Sequence, residues 1–182
     1  MVPESRKIAM LLLENPTQAQ WNHALIVENI LQKSRATAIR QSRLIRNRLK
    51  TFDREGLELI SGKEIEITRQ LLLAASMRHS QLLADFFRDV YLYDLKRMER
   101  VLKVSQWDAF LTDCLRRDEQ VSLWTSLTRK KALQVIIRIL SEAKYLDNTK
   151  EMSLTPVLLH PKVVAYLKAI GDDTILSLLE CT

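Results

Sequence analysis

The sequence predicts an all-α protein, and three observations carry that expectation. Apolar residues recur at spacings of three and four along nearly the whole chain, the mark of one-sided helices. Only three glycines and four prolines occur in 182 residues, so few positions force the backbone out of helix. Polar caps and breakers punctuate the chain at intervals of one helix length. With 47% hydrophobic residues, a chain this long fills one domain or two small ones.

The elements follow in order. A first helix runs from about Ser5 to Glu14 with Ile8, Leu11 and Leu12 on one face. Asn15-Pro16 then reads as a stop and a new start, with Asn15 as N-cap and Pro16 in the first turn. The second helix, about Thr17 to Leu31, buries Trp21, Ala24, Leu25 and Leu31. Ser34 caps a third, Arg35 to about Phe52, whose packing stripe is Ala38, Ser42, Ile45, Leu49 and Phe52. Four more are expected at Arg54–Ile60, Glu64–Arg78, Ser80–Lys103 and Ser105–Arg117, with Ser61-Gly62 a plain break. Ser105 with Asp108 three residues on suggests a capping box. A short helix at Glu119–Trp124, a Thr125-Ser126 turn and a strong helix from Leu127 to about Ala143 come next. Residues 144–159 allow a small β-hairpin wing, its turn at Asp147–Lys150 and its return strand held to an edge by Pro156. Two helices, about Pro161–Ile170 and Asp172–Leu179, close the chain. The expected organisation is a two-lobed globule. Residues 1–103 form a lobe carrying one helix–turn–helix, and 104–182 form a lobe carrying a second.

Charge is concentrated. Between Ile30 and Phe52 lie Lys33, Arg35, Arg40, Arg43, Arg46, Arg48 and Lys50 with no Asp or Glu, so this segment exceeds the whole net charge of +6. A merely solvated helix mixes signs; one sign in one place points to an anionic partner. In a helix–turn–helix spanning Thr17–Phe52, the first helix braces the duplex and the second enters the major groove. Arg40, Arg43, Arg46 and Lys50 follow at spacings of three, three and four, which brings them to neighbouring turns. The Glu119–Leu159 region repeats the pattern. Arg129, Lys130 and Lys131 sit in a helix's first turns, where positive charge opposes the macrodipole, so phosphate contact is the reason to place them there. Lys96, Arg97, Arg100 and Lys103, interleaved with Glu99, read as a solvated face.

Catalytic chemistry finds no support. No histidine pair has metal-ligand spacing, and Cys114 and Cys181 form neither a metal knuckle nor a disulfide framework. Three glycines leave no phosphate-cradling loop. No cofactor, metal or catalytic residue is expected. The longest apolar run, Ile8 to Leu13, is far short of the ~20 residues that cross a bilayer. A cytoplasmic protein without membrane contact is the expectation, with a monomer favoured.

Particular runs also match a known family. Pro3 to Leu13, Glu28 to Lys33, Ala36 to Arg40, and Leu44 with Arg48-Leu49 resemble the BrxA proteins of BREX phage-defence systems. The likeness continues through Trp107–Phe110, Trp124–Thr128, Ile139–Ala143, Leu158-Leu159 and Pro161, and covers nearly the whole chain. Lys144 stands where relatives often have glycine. The resemblance implies a non-catalytic, all-helical component of a multi-protein system that methylates host DNA and blocks phage replication. It also implies an N-terminal part similar to the NusB fold and other BREX components as partners. It further implies DNA binding through helix–turn–helix elements, the matching positions being Arg40, Arg43, Arg46, Arg48 and Arg129 to Lys131. Double-stranded DNA is thus the expected ligand. The alternatives are a helical adaptor that docks protein partners and an RNA-binding, NusB-like protein.

Overall fold

The computed structural model describes residues 1–116 and 123–180. The described chain is all-α. Its helices are α1 (Val2–Leu13), α2 (Gln18–Asn22), α3 (Arg35–Leu49), α4 (Arg54–Ser61), α5 (Ile65–His79) and α6 (Gln81–Phe86). They continue with α7 (Leu92–Lys96), α8 (Ser105–Leu115), α9 (Ser126–Glu142), α10 (Pro161–Ala169) and α11 (Asp173–Leu179). Wider π-helical turns extend α2 through His23–Val27 and join α6 to α7 through Phe87–Tyr91. None of these helices is long and apolar enough to cross a membrane. The short helix expected at Glu119–Trp124 lies largely outside the described residues.

Two compact units divide the chain: Met1–His79 with His160–Asp173, and Ser80–Leu159 with the residues from Thr174 onward. The boundary expected at 103/104 falls inside the second unit.

In the first unit α1 packs on α3, α4 and α5, and α10 on α5. Helix α5 is buried on most of its circumference, from Ile67 to Met77, which is why its sequence is apolar nearly all round. Its buried polar groups are satisfied. Thr68 Oγ1 donates to the Ile60 carbonyl at 3.0 Å, and Gln70 Oε1 accepts the His160 N–H at 2.9 Å. Tyr166 of α10 is 1% exposed and donates its hydroxyl to Asp53 Oδ1 at 2.9 Å. The same carboxylate oxygen caps α4 by accepting the Gly56 N–H at 3.0 Å. A Cβ on Gly56 would collide with the Tyr166 hydroxyl, so glycine here permits α4 and α10 to approach.

The second unit is built on aromatic rings. Phe87 stacks on Tyr91 at 4.6 Å, and Tyr145 meets both edge-on. Phe86 meets Trp107 and Phe110 in the same edge-to-face manner, the arrangement the ring quadrupole favours. Buried Asp94 takes both its hydrogen bonds here from Gln106 Nε2, at 2.8 and 2.7 Å. The region 144–159 forms no ladder of strands among the described residues. Single antiparallel bridges join Leu146 to Leu154 and Val101 to Ser153. Asp147 Oδ1 accepts the N–H groups of Asn148 and Ser153 and so occupies backbone donors that a hairpin would pair.

Several helix ends differ from the sequence reading, for local reasons. The first new start is made by Thr17, not Asn15: Thr17 and Gln20 form a reciprocal capping box, while Asn15 has φ +49°. The second helix ends at Val27 rather than Leu31, and Asn29 at φ +47° turns the chain while its Oδ1 accepts the Lys33 N–H. Ser34 occupies the N-cap position of α3 but bonds Thr37 Oγ1 instead of the backbone. Ser105 lies inside α8 and caps nothing; Gln106 Oε1 accepts the Lys103 N–H there.

The helix expected through Lys103 stops at Lys96. Met98 at φ +57° allows Met98 N–H to reach the Leu95 carbonyl and Glu99 N–H to reach Asp94. This double closure is the Schellman motif. Helix α9 ends identically, with Lys144 at φ +70° bonding Ser141 and Tyr145 bonding Leu140. Helix α10 ends the same way on Gly171. Lys144 thus takes the backbone conformation glycine favours.

Candidate nucleic-acid interface

Helix α3 buries the stripe its periodicity predicts: Ala38, Ser42, Ile45 and Leu49, with Phe52 beyond its end. At about 100° per residue, that stripe leaves the opposite face to solvent. Arg35, Arg40, Arg43 and Lys50 are exposed there or on its flanks. Among the described residues none of the four has a carboxylate within ion-pairing distance.

The two acids that bracket the basic segment are held elsewhere. Glu28 Oε1 lies 3.1 Å from His23 Nδ1. Asp53 is occupied by Gly56 and Tyr166, and the Gly56 N–H above all holds its pKa below the ordinary aspartate value. Lys33 Nζ lies 3.6 Å from Glu4 Oε1. Burial pushes the Glu4 carboxyl up, but hydrogen bonds and nearby positive charge, Lys33 included, outweigh it and hold the group low.

Arg46 is half-buried, its guanidinium 4.6 Å above the Trp21 ring. Trp21 itself is 6% exposed. It is a core residue, as its place in the sequence suggests, and its ring also fixes a cation at the surface. The two helices enclose an open groove of about 450 Å³ whose lining includes Trp21, Asn22, Arg43, Arg46, Asn47 and Lys50. No acidic residue lines it. Arg48 is half-buried on the far flank of α3, ~200° around the axis from Arg46. The groove therefore gathers Arg43, Arg46 and Lys50, and leaves Arg48 out.

Helix α3 also presents two apolar side chains to solvent: Ile39, 45% exposed on the lining of the groove, and Leu44, 36% exposed and outside it. The charge pattern of the sequence does not mark them; their positions off the buried stripe are the signal that does. Of the two side-chain amides on α3, Asn47 is exposed, whereas Gln41 is half-buried with its Oε1 inside.

In the second unit, Thr125 caps α9 by accepting the Thr128 N–H at 3.2 Å. Arg129 is half-buried, and Lys130 and Lys131 are exposed. No acid occupies the first turn of α9, so these charges stand uncompensated against the helix dipole. The Lys96–Lys103 cluster is a solvated face: Arg97 lies over Tyr93, and Lys103 is 3.8 Å from Glu99.

A family model described as BrxA matches residues 1–171. A BREX protein BrxA from Paramagnetospirillum magneticum is 38% identical over 181 residues, covering 98% of this chain and 90% of that relative. One from Escherichia coli O9:H4 is 33% identical over 182 residues, covering 99% and 85%. One from Bacillus cereus is 30% identical over 180 residues, covering 97% and 89%. The crystal structure of an uncharacterized protein from Magnetospirillum magneticum matches at a TM-score of 0.89 and 35% identity. It covers 100% of this chain and 93% of that one.

Proposed function

The chain belongs to the BrxA family, and on that premise we propose that it is a DNA-binding, non-catalytic component of a BREX system. In this reading α2 and α3 act as a helix–turn–helix that grips double-stranded DNA chiefly through phosphates. The basic start of α9 supplies a second contact. The single observation behind it is that Arg35, Arg40, Arg43 and Lys50 lie open to solvent with no carboxylate partner among the described residues. Cations left in that state bind a polyanion without first breaking an internal ion pair, and release its condensed counterions on doing so.

The test is a salt titration of binding to duplex DNA, duplex RNA and single strands of matched length. Duplex DNA binds best, and log affinity falls linearly with log salt at about −0.9 per phosphate neutralised. Preference for RNA, or absence of salt dependence, overturns the reading. Capture of acidic partner proteins with no nucleic-acid binding would make the basic helix a protein-docking surface instead.

A further inference from the structure

The outward face of α3 is not built for phosphates alone, and we infer that it reads base edges in the major groove. The inference rests on the duplex-binding reading above and adds sequence preference to it. Opposite the buried stripe stand Ala36, Ile39, Arg40, Arg43, Leu44 and Asn47, which together line one shallow depression on the helix. All six are exposed. A surface that met only phosphate oxygens would gain nothing from three apolar side chains placed among two arginines.

Base edges in the major groove explain the mixture. Guanine presents two acceptors that suit an arginine fork, adenine presents an acceptor and a donor that suit an asparagine amide, and thymine presents a methyl group. Arg40 and Arg43 supply the forks, Asn47 the amide, and Ala36, Ile39 and Leu44 the apolar contacts. From Ala36 to Asn47 the helix rises about 16 Å, the length of roughly five base-pair steps. The depression contains no acid, so the field over it is of one sign, which suits nucleic acid better than a neutral protein surface. Arg46 and Lys50, turned into the groove beside Trp21, are then the phosphate contacts that set the register.

The experiment is selection from duplex DNA with a randomised core, followed by titration of the enriched duplex against a scrambled one at matched salt. A short enriched motif is expected, and Leu44→Ala and Asn47→Ala each narrow the preference by about tenfold. Circular dichroism checks that both variants keep their helicity. Binding without enrichment overturns the inference and leaves the phosphate-based reading standing. An enriched motif that both variants read unchanged overturns it too. Failure to bind any duplex overturns both readings, as does enrichment from a randomised RNA pool but not from DNA.

Discussion

Arg46 holds its guanidinium 4.6 Å above the ring of Trp21, so a side chain of the core positions a cation of the surface. The pair links the packing of α2 on α3 to the charge of the groove between them. Of the groove cations, Arg46 alone is fixed in this way.

Replacing Arg46 by glutamine tests that link. A stacking contact of this kind contributes about 0.5–1 kcal/mol at a partly exposed site, so thermal stability falls by no more than a few degrees. DNA affinity falls further, and the log–log salt slope becomes shallower by about one contact. Calorimetry and a salt titration measure the two effects separately.

Gly56 sits where a Cβ would strike the Tyr166 hydroxyl and crowd Phe52. On helix propensity alone, alanine would stabilise α4 by up to ~1 kcal/mol. Overpacking outweighs this, and Gly56→Ala destabilises by about 1–3 kcal/mol in urea unfolding. Adding Tyr166→Phe removes the hydroxyl and recovers part of the loss.

The Asp53–Tyr166 hydrogen bond gives stability a defined pH window. The Asp53 carboxyl is held below its ordinary value of 3.8, so its contribution is complete above that pH and lost as acid protonates the folded protein. The Tyr166 phenol is pushed above its ordinary 10.0 by burial and by Asp53. Its contribution is complete below pH 10.0 and declines as alkali ionises the unfolded chain first. Urea midpoints across pH should therefore form a plateau with two falling limbs. Asp53→Asn flattens the acid limb and Tyr166→Phe the alkaline one.

Lys144 adopts φ +70° to close α9, as Gly171 at φ +68° closes α10. A side chain in this conformation costs roughly 1–2 kcal/mol, part of which glycine gives back through its freer unfolded chain. Lys144→Gly therefore raises stability by about 0.5–1 kcal/mol, measured as a higher midpoint in urea.

These positions show what the sequence reveals and what it hides. The stripe Ala38, Ser42, Ile45, Leu49 was legible because burial of one helix face imposes its own period. The ends at Val27 and Lys96 were not, because Asn29 and Met98 take a left-handed turn that glycine usually announces. Asp53 and Tyr166 lie 113 positions apart, and no local pattern joins them. At the candidate interface the cations were legible from composition alone. Their placement was not, with Arg46 and Lys50 in the groove, Arg40 on the outward face and Arg43 on both, since it depends on where α2 leaves α3 uncovered.

The most direct measurement is duplex DNA binding by a chain carrying Arg40→Glu, Arg43→Glu and Lys50→Glu together. All three side chains are exposed, so circular dichroism and the urea midpoint should stay close to wild type. Affinity should fall by orders of magnitude, with a salt slope reduced by about 0.9 for each contact removed. Unchanged affinity and slope in that folded variant would contradict the assignment of α3 as the DNA-binding helix.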